Sequence, residues 1–374
     1  MKSYTASDIR YMNRLTVFRV LSNSKGISKA EIARQTGLSS PTAMKIVDFM
    51  KQKDLIVYSG ESDFGLGRKS TLFTLNPKKI YSIGIIIEGD YLTVGVVDLL
   101  RKIKKRIKVK VTGSFENTVN ERLPEIIDLL IKESGISRDK ITGIGIGLPG
   151  VYNPITYTIT YAPLLHINSD VCIKELLVKL EDKFKLPIMI ANDTNMEALG
   201  EYNSLKLNNK DFIFISLGTG LGAGLIINGK LHVGSRFMSG EIGYMAFEGN
   251  YVADVDAPGW LESKINLTAL KAKFNFDPAN LNQSNFGEVI EYVSGYVALC
   301  INNINIFLDC HYISLGGIIT ETLGERFLEA VYKKVKQFSI VEINIRKNTS
   351  IDPGILGICS LIIDDAVKDL LDGG

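Results

Sequence analysis

Residues 212–224 read Phe-Ile-Phe-Ile-Ser-Leu-Gly-Thr-Gly-Leu-Gly-Ala-Gly. An apolar run of strand length passes directly into glycines at 218, 220, 222 and 224. Glycine there permits a tight turn and lets backbone N–H groups approach a phosphate. The same spacing serves a turn between strands that pack closely at the floor of a cleft. The stretch therefore predicts a strand–turn–strand unit of an α/β protein, with or without a nucleotide above it.

The flanking patterns extend this reading. Residues 81–88, 91–98 and 102–112 predict an antiparallel meander, followed by an amphipathic helix over 121–134 and a buried strand over 141–148. A helix over 173–184, a strand over 188–191 and a helix over 196–205 come next. Residues 212–217, 222–227 and 230–233 then repeat the meander, with a long helix over 289–308 and a strand over 312–315. Two halves of similar order predict an internally duplicated α/β body, residues 81–374, with a cleft between two lobes.

The first 76 residues read differently. Leu15, Val17, Phe18, Val20 and Leu21 recur at helical spacing, and Lys25-Gly26 ends the run. Ser28 with Glu31 predicts a capping box for a second helix, Gly37 a tight turn, and Ser39 or Ser40 the cap of a third helix with Pro41 in its first turn. That third helix, residues 42–53, offers Met44, Ile46, Val47, Phe49 and Met50 to a core. Strand-like runs at 55–58 and 70–75 flank a Gly-rich loop ending Gly67-Arg68-Lys69. The pattern predicts a winged helix-turn-helix, mostly helical with a β-wing. Ser39, Ser40, Thr42 and Lys45 would face the major groove of double-stranded operator DNA, and Arg68 and Lys69 would meet phosphates or the minor groove. Residues 77–80, opening on Pro77, form the expected linker.

Charge divides the chain in the same place. Residues 1–80 carry 14 Lys/Arg against 6 Asp/Glu, net +8, while the remainder carries 29 against 35, net −6. A basic module on an acidic body is the electrostatic footprint of nucleic-acid binding. With 45% hydrophobic and 22% charged residues the composition is that of a globular protein. The apolar runs are far shorter than a membrane span needs, and Met1–Thr5 opens no secretory h-region, so a cytoplasmic location is expected. Cys172, Cys300, Cys310 and Cys359 are scattered with no Cys-x-x-Cys pair, which argues against a disulfide framework or a zinc site.

Five segments stand in a recognisable order: Gly147-Leu148-Pro149-Gly150, the run 192–201 from Asn192-Asp193 to Gly200-Glu201, the run 217–224, Gly240-Glu241-Ile242-Gly243, and Leu315-Gly316-Gly317. Together they resemble the ROK family of repressors and sugar kinases, with its actin/hexokinase-like fold, and the N-terminal module resembles the family's repressor branch. The resemblance implies that Asn192 and Asp193 contact sugar, Asp193 matching the general base of the kinases. It implies sugar contacts from Glu241 and Glu262 as well. The family's His after Gly-Glu-x-Gly is Tyr244 here, still able to donate a hydrogen bond and offer a ring face. The family's zinc cysteines are replaced by residues 251–262, with Gly259-Trp260 where Gly-Cys is expected, so no zinc and no other cofactor are expected. Trp260 reads as core in place of the metal, Leu164 stands where the family has Asn, and His166 reads as structural.

The kinases' Asp-x-Gly-Gly-Thr turn decides between enzyme and regulator. Here residues 84–91 read Gly-Ile-Ile-Ile-Glu-Gly-Asp-Tyr: Ile86 replaces the Asp, one glycine of the pair survives at Gly89, and Glu88 brings negative charge toward the phosphate position. The expectation is a DNA-binding, sugar-responsive homodimer with no catalytic residues, its inducer xylose or another monosaccharide held by Asn192, Asp193, Glu241, Tyr244 and Glu262. The alternative is an ATP-dependent sugar kinase with an appended DNA-binding domain.

Overall fold

The computed structural model describes residues 5–62, 70–88, 91–111, 115–162, 165, 167, 169–254, 257–280 and 284–372. The chain opens with α1 (Ala6–Ser22), β1 (Ile27–Ser28), α2 (Lys29–Thr36), α3 (Ser40–Gln52) and the antiparallel pair β2 (Ile56–Ser62) and β3 (Ser70–Leu75). Thr5 and Asp8 close a capping box on α1. Ser28 Oγ accepts from Glu31 N at 3.2 Å, but the expected box at α2 is only half made. The Glu31 carboxylate turns to Arg34 and Gln35 instead of returning to the cap. Gly37 ends α2 at φ 68°, in the left-handed region. Met44 points outward rather than into the core; Ala43, Ile46, Val47 and Met50 fill it. Arg68 and Lys69 lie outside the described residues.

The first lobe begins with the meander β4 (Tyr81–Glu88), β5 (Tyr91–Asp98) and β6 (Ile103–Lys110). A short helical turn α4 (Phe115–Asn117) and a π-turn lead into α5 (Leu123–Ser134), then β7 (Ile141–Leu148). A small sheet follows, β8 (Val151–Asn153), β9 (Thr158–Thr160) and β10 (Val171–Cys172), which the sequence pattern missed. Strands of two or three residues carry too few side chains to show a period. Then come α6 (Lys174–Phe184), β11 (Ile188–Asn192) and α7 (Asp193–Leu205).

The second lobe holds β12 (Phe212–Leu217), β13 (Leu221–Ile227), β14 (Lys230–His232), α8 (Glu262–Ile265), α9 (Leu267–Phe274) and α10 (Phe286–Leu308). It ends with β15 (Tyr312–Gly316), α11 (Gly317–Phe338) and β16 (Asn344–Lys347), after which α12 (Pro353–Asp372) closes the chain. The two large sheets run β11–β7–β4–β5–β6 and β16–β15–β12–β13–β14. Each is an antiparallel meander extended by two parallel strands, so the lobes share one topology. This is the duplicated α/β body read from the sequence. Each sheet has its own apolar core, centred on Ile83, Ile146 and Leu130 in the first lobe and on Ile215, Leu315 and Ile301 in the second.

Two helices cross between the lobes. α7 lies on β12 and β13, and α12 lies on β4 and β7. They meet where a Cβ on Gly200 would stand 1.9 Å from Pro353 O, and one on Gly357 would stand 1.9 Å from Met196 O. Glu201, fully buried, reinforces the crossing by accepting from Thr349 N, Thr349 Oγ1 and Ser350 N at 2.8–3.0 Å. Asn203 Nδ2 donates to Ser360 Oγ at 3.2 Å. The opposite face of α12 presses Ile355, Ile358, Cys359 and Ile362 onto Gly84, Gly95, Gly143 and Gly145 of the first sheet. Its far end carries Ile363, Val367 and Leu371 into a core shared with Val17, Leu21 and Met50 of the N-terminal module. Replacing Gly357 by Ala should therefore lower unfolding free energy by roughly 3 kcal/mol in urea titration, because the added methyl meets backbone and no side chain can yield. An Ala at Gly287, where an added Cβ meets nothing within 4 Å, should show no such loss.

Candidate functional site

β11 delivers Asn192 to the mouth between the lobes. Its backbone stays extended while its side-chain Oδ1 accepts from Asn195 N at 2.8 Å, capping α7. The cap starts α7 at Asp193, three residues earlier than the apolar spacing suggested. Asn192 Nδ2 donates to Gly150 O at 3.1 Å, tying the cap to the turn after β7. Asp193 Oδ1 accepts from Thr194 N at 2.7 Å. The Gly147-Leu148-Pro149-Gly150 segment is thereby brought against the start of α7, with the Gly147 Cβ position 3.5 Å from Asp193 Cα.

The opposite wall grows from the glycine run that opened the sequence reading. Gly218 and Gly220 make a tight hairpin, Gly218 N donating to Gly220 O at 3.0 Å, which puts Leu217 opposite Leu221. Gly222 and Gly224 instead admit α7: a Cβ at Gly224 would stand 2.3 Å from Ala198 Cβ, and one at Gly222 2.9 Å from Thr194 Oγ1. Ala223 N donates to Gly240 O at 2.8 Å, and a Cβ on Gly240 would overlap Ala223 O. This seats Glu241 and the short turn Ile242–Tyr244 beside β13. Gly243 in turn lets Glu262, first residue of α8, bring Oε2 to within 2.8 Å of the Gly243 Cβ position. The five expected sugar contacts thus fall into one cleft.

The electrostatics of the cleft are those of acids crowded out of water. Burial raises Asp193 to about 6, against the lowering effect of Thr194 N–H and helped by Glu88. Burial, then Asp193 and Glu262, raises Glu241 to about 7. Burial raises Glu262 to about 7, partly offset by a hydrogen bond with Asn266. Tyr244 is raised by burial and then by Glu241 and Glu262 beside it. Glu197 was missed in the sequence. It stands four residues after Asp193, hence on the same face of α7, and that spacing was the available signal. Burial and then Asp193 raise it to about 8, opposed by a hydrogen bond with Ser216, and its Oε2 is shut off from water with no partner. Such a set presents acceptor oxygens, and protonated carboxyls as donors, to a ligand rich in hydroxyls.

The phosphate corner holds different chemistry. Ile86 sends Cδ1 to 2.6 Å from the Gly147 Cβ position and 2.9 Å from that of Gly354, so an apolar side chain fills the space between β7 and the start of α12. Glu88, at the end of β4, lies 3.8 Å from Lys108. Gly89, Leu164 and His166 lie outside the described residues. Trp260 is buried among Phe247 and Tyr296, edge-on to both with centroids 5.5 and 5.9 Å away. It belongs to the second-lobe core and does not face the cleft as a stacking platform. Around it Tyr244, Tyr251 and Glu262 supply no thiolate or imidazole, so this donor set does not fit zinc. Among the described residues no group of three or more His, Cys, Asp or Glu is arranged to hold a metal.

The residues read for DNA lie apart from the cleft, on α3. Ser39 caps the helix and shares a 2.8 Å hydrogen bond with Thr42 Oγ1. Ser40 and Lys45 are exposed on its N-terminal half beside Met44. No helix among the described residues is long and apolar enough to cross a membrane.

The raised acids give a pH signature. With native values above unfolded ones, the folded chain binds more protons between about pH 4.5 and 8, so these groups make stability fall as pH rises through that window. Glu197→Gln should flatten that fall, and at pH 8 the variant should melt roughly 3 °C or more above the wild type. Thermal denaturation from pH 5 to 8 checks this; parallel curves would contradict it.

Known proteins bear on this geometry. The profile of the ROK family matches residues 82–355. A xylose repressor of Bacillus spizizenii is 28% identical over 390 residues, covering 96% of this chain and 98% of that protein. The xylose repressor of Bacillus subtilis is 27% identical over 65% of this chain, the chain spanning 62% of that protein. The Escherichia coli transcriptional dual regulator NagC is 25% identical over 84% of this chain and 82% of its own length. Among solved structures, a ROK family transcriptional regulator homologous to the E. coli MLC protein superposes with TM-score 0.76 at 19% identity, covering 97% of this chain and 98% of its own. A ROK family glucokinase from Streptomyces griseus, in complex with glucose and AMPPNP, superposes with TM-score 0.62 at 22% identity over 75% of this chain and 98% of its own. The body has the ROK actin/hexokinase-like fold, and the chain belongs to the ROK family.

Proposed function

We propose that the protein is a sugar-responsive DNA-binding transcriptional repressor whose kinase-like body senses a monosaccharide and whose N-terminal winged helix-turn-helix holds operator DNA as a homodimer. The observation that carries this reading is one of extent. The glucokinase fold accounts for 75% of the chain, whereas the regulator fold accounts for 97% and the B. spizizenii repressor aligns over 96%. The three-helix module with its basic charge lies ahead of the ROK profile, which matches residues 82–355. Exposed Ser40 and Lys45, with Ser39 and Thr42 at the head of α3, suit the major groove. Arg68 and Lys69 would add contacts from the wing.

In the cleft, Asn192, Asp193, Glu241, Tyr244 and Glu262 would hold the sugar, xylose first given the named relatives. Glu197 joins them as a neighbour that sets their charge. ATP-dependent phosphorylation of a sugar is the second reading, favoured by the shared kinase fold. Against it stand Ile86 in place of a metal-handling carboxylate and Glu88, whose negative charge would oppose a phosphate. Binding of unphosphorylated sugar without turnover fits a body that acts on operator DNA in the cytoplasm.

A melting-shift screen with D-xylose, D-glucose and N-acetylglucosamine tests the reading. One sugar should raise the midpoint by mass action, and Asp193→Ala should abolish that rise. The same sugar should change the affinity for a duplex selected by the protein by about 5–150-fold, the usual range of allosteric coupling. No detectable phosphoryl transfer from ATP is expected. Sugar-independent DNA binding with every monosaccharide would end the inducer reading, and measurable sugar phosphate would favour the kinase.

A further inference from the structure

The sugar cleft and the N-terminal module sit at opposite ends of one helix. We infer that α12 is the link through which cleft occupancy reaches the module: it is fixed to the first lobe and to the module, and α7 moves across it with the second lobe. The inference rests on the sugar-responsive reading above and names how that response is transmitted.

The attachment of α12 to the first lobe is nearly seamless. Four glycines of the sheet admit its side chains so closely that an added Cβ at Gly145 would stand 2.3 Å from Ile358 Cγ1, and one at Gly84 2.7 Å from Cys359 Sγ. Ser82 Oγ donates to Cys359 O at 3.4 Å, and Arg101 pairs with Asp364 at 2.6 Å. At the far end the link continues into the module. Arg14 of α1 donates to Leu371 O at 2.6 Å while its guanidinium lies 3.6 Å over the Phe49 ring of α3. A cation on the last carbonyls of α12 also suits the helix dipole. Leu371, Val367 and Ile363 share one apolar core with α1 and α3, and that core runs on into Ile86, Val97 and Leu99 of the first sheet. Packed cores move as units, so the module travels with the first lobe.

The attachment of α12 to α7 is of another kind. Backbone meets backbone at Gly200 and Gly357, where an added Cβ would stand 1.9 Å from Pro353 O or Met196 O. Small residues at a crossing allow two helices to slide or rotate while staying in contact, as in shear and hinge closures. α7 is seated instead on β12 and β13 through Gly222 and Gly224, and its first residue is Asp193 in the cleft. A sugar bridging Asp193 on α7 and the Gly147–Gly150 segment of the first lobe would bias that crossing angle. Asn203–Ser360 and the Glu201 contacts to Thr349 and Ser350 hold it at one setting.

Two variants test the link without touching the cleft or α3's exposed face: Ser360→Ala, at the crossing, and Arg14→Ala, at the module. Both are compared with the wild-type full chain by hydrogen exchange and by DNA affinity with and without saturating D-xylose, D-glucose or N-acetylglucosamine. Arg14→Ala should speed exchange in residues 6–22 and in residues 364–372 together. If residues 6–22 alone change, or neither segment does, the link between α12 and the module is refuted, with or without a known sugar. For the sugar that shifts wild-type melting, both variants should keep that shift within about 1 °C while the sugar-dependent change in DNA affinity falls about fivefold or more. A change in DNA affinity that stays at the wild-type size in both variants would overturn the inference and leave the sugar-responsive reading standing. Absence of any melting shift or DNA response in the wild type would instead end that reading, the exchange arm still deciding whether α12 and the module are one body.

Discussion

The structure turns on a close backbone contact between two helices. α7 and α12 cross where Gly200 and Gly357 let their backbones touch, each Cβ position lying 1.9 Å from a carbonyl oxygen of the other segment. A duplicated α/β body needs a joint that keeps its two sheets together without merging their cores. Here each sheet keeps its own core, and the two helices lie back to back between them. Buried Glu201 accepts from the amides of Thr349 and Ser350 in the segment entering α12, so these two backbone donors are paired where the chain bends.

The cleft depends on that joint because its acids arrive from both sides of it. Asp193 and Glu197 ride on α7, Glu241 and Glu262 on the second-lobe turns, and Glu88 at the end of a first-lobe strand. Crowding them costs stability, visible in the raised values of four of them. Buried acids at this density are commonly a functional feature, and Glu197 Oε2 among them has no hydrogen-bond partner. Ile86 fills the neighbouring corner and joins the apolar contact between the first sheet and α12.

Much of this was legible in residue order. The meanders, α10 and the second and third helices follow apolar periods of two and 3.6, and the structure keeps them with ends shifted by a few residues, whereas α1 begins earlier than its apolar run and α8, α9, α11, β16 and α12 were not read from the pattern. Misreadings share a cause. Met44 has an apolar side chain at a core-compatible spacing, yet the packing of α3 against α1 and α2 uses Ala43 and Val47 and leaves Met44 outside. The apolar spacing started the helix at 196, but Asn192 caps it and α7 begins at Asp193, because a cap and a polar first turn carry no apolar signal. Glu31 had the spacing of a capping box, but Arg34 and Gln35 lie within reach on the same helix and compete for the carboxylate.

The sequence by itself determined the family, the repeated meanders of the two lobes and the candidate residues Asn192, Asp193, Glu241, Tyr244 and Glu262, because those follow from local pattern and motif. Only the tertiary structure decided what the glycines of 218–224 are for. Gly218 and Gly220 turn a hairpin, and Gly222 and Gly224 admit α7. It likewise assigned Trp260 to an aromatic core and brought Glu197 beside Asp193. It also showed α12 joining the sheet, α7 and the N-terminal module. A glycine's purpose is set by the atom that approaches it, and an acid's charge by what surrounds it. Both are supplied by segments up to hundreds of residues away in the chain, so no local reading could reach them.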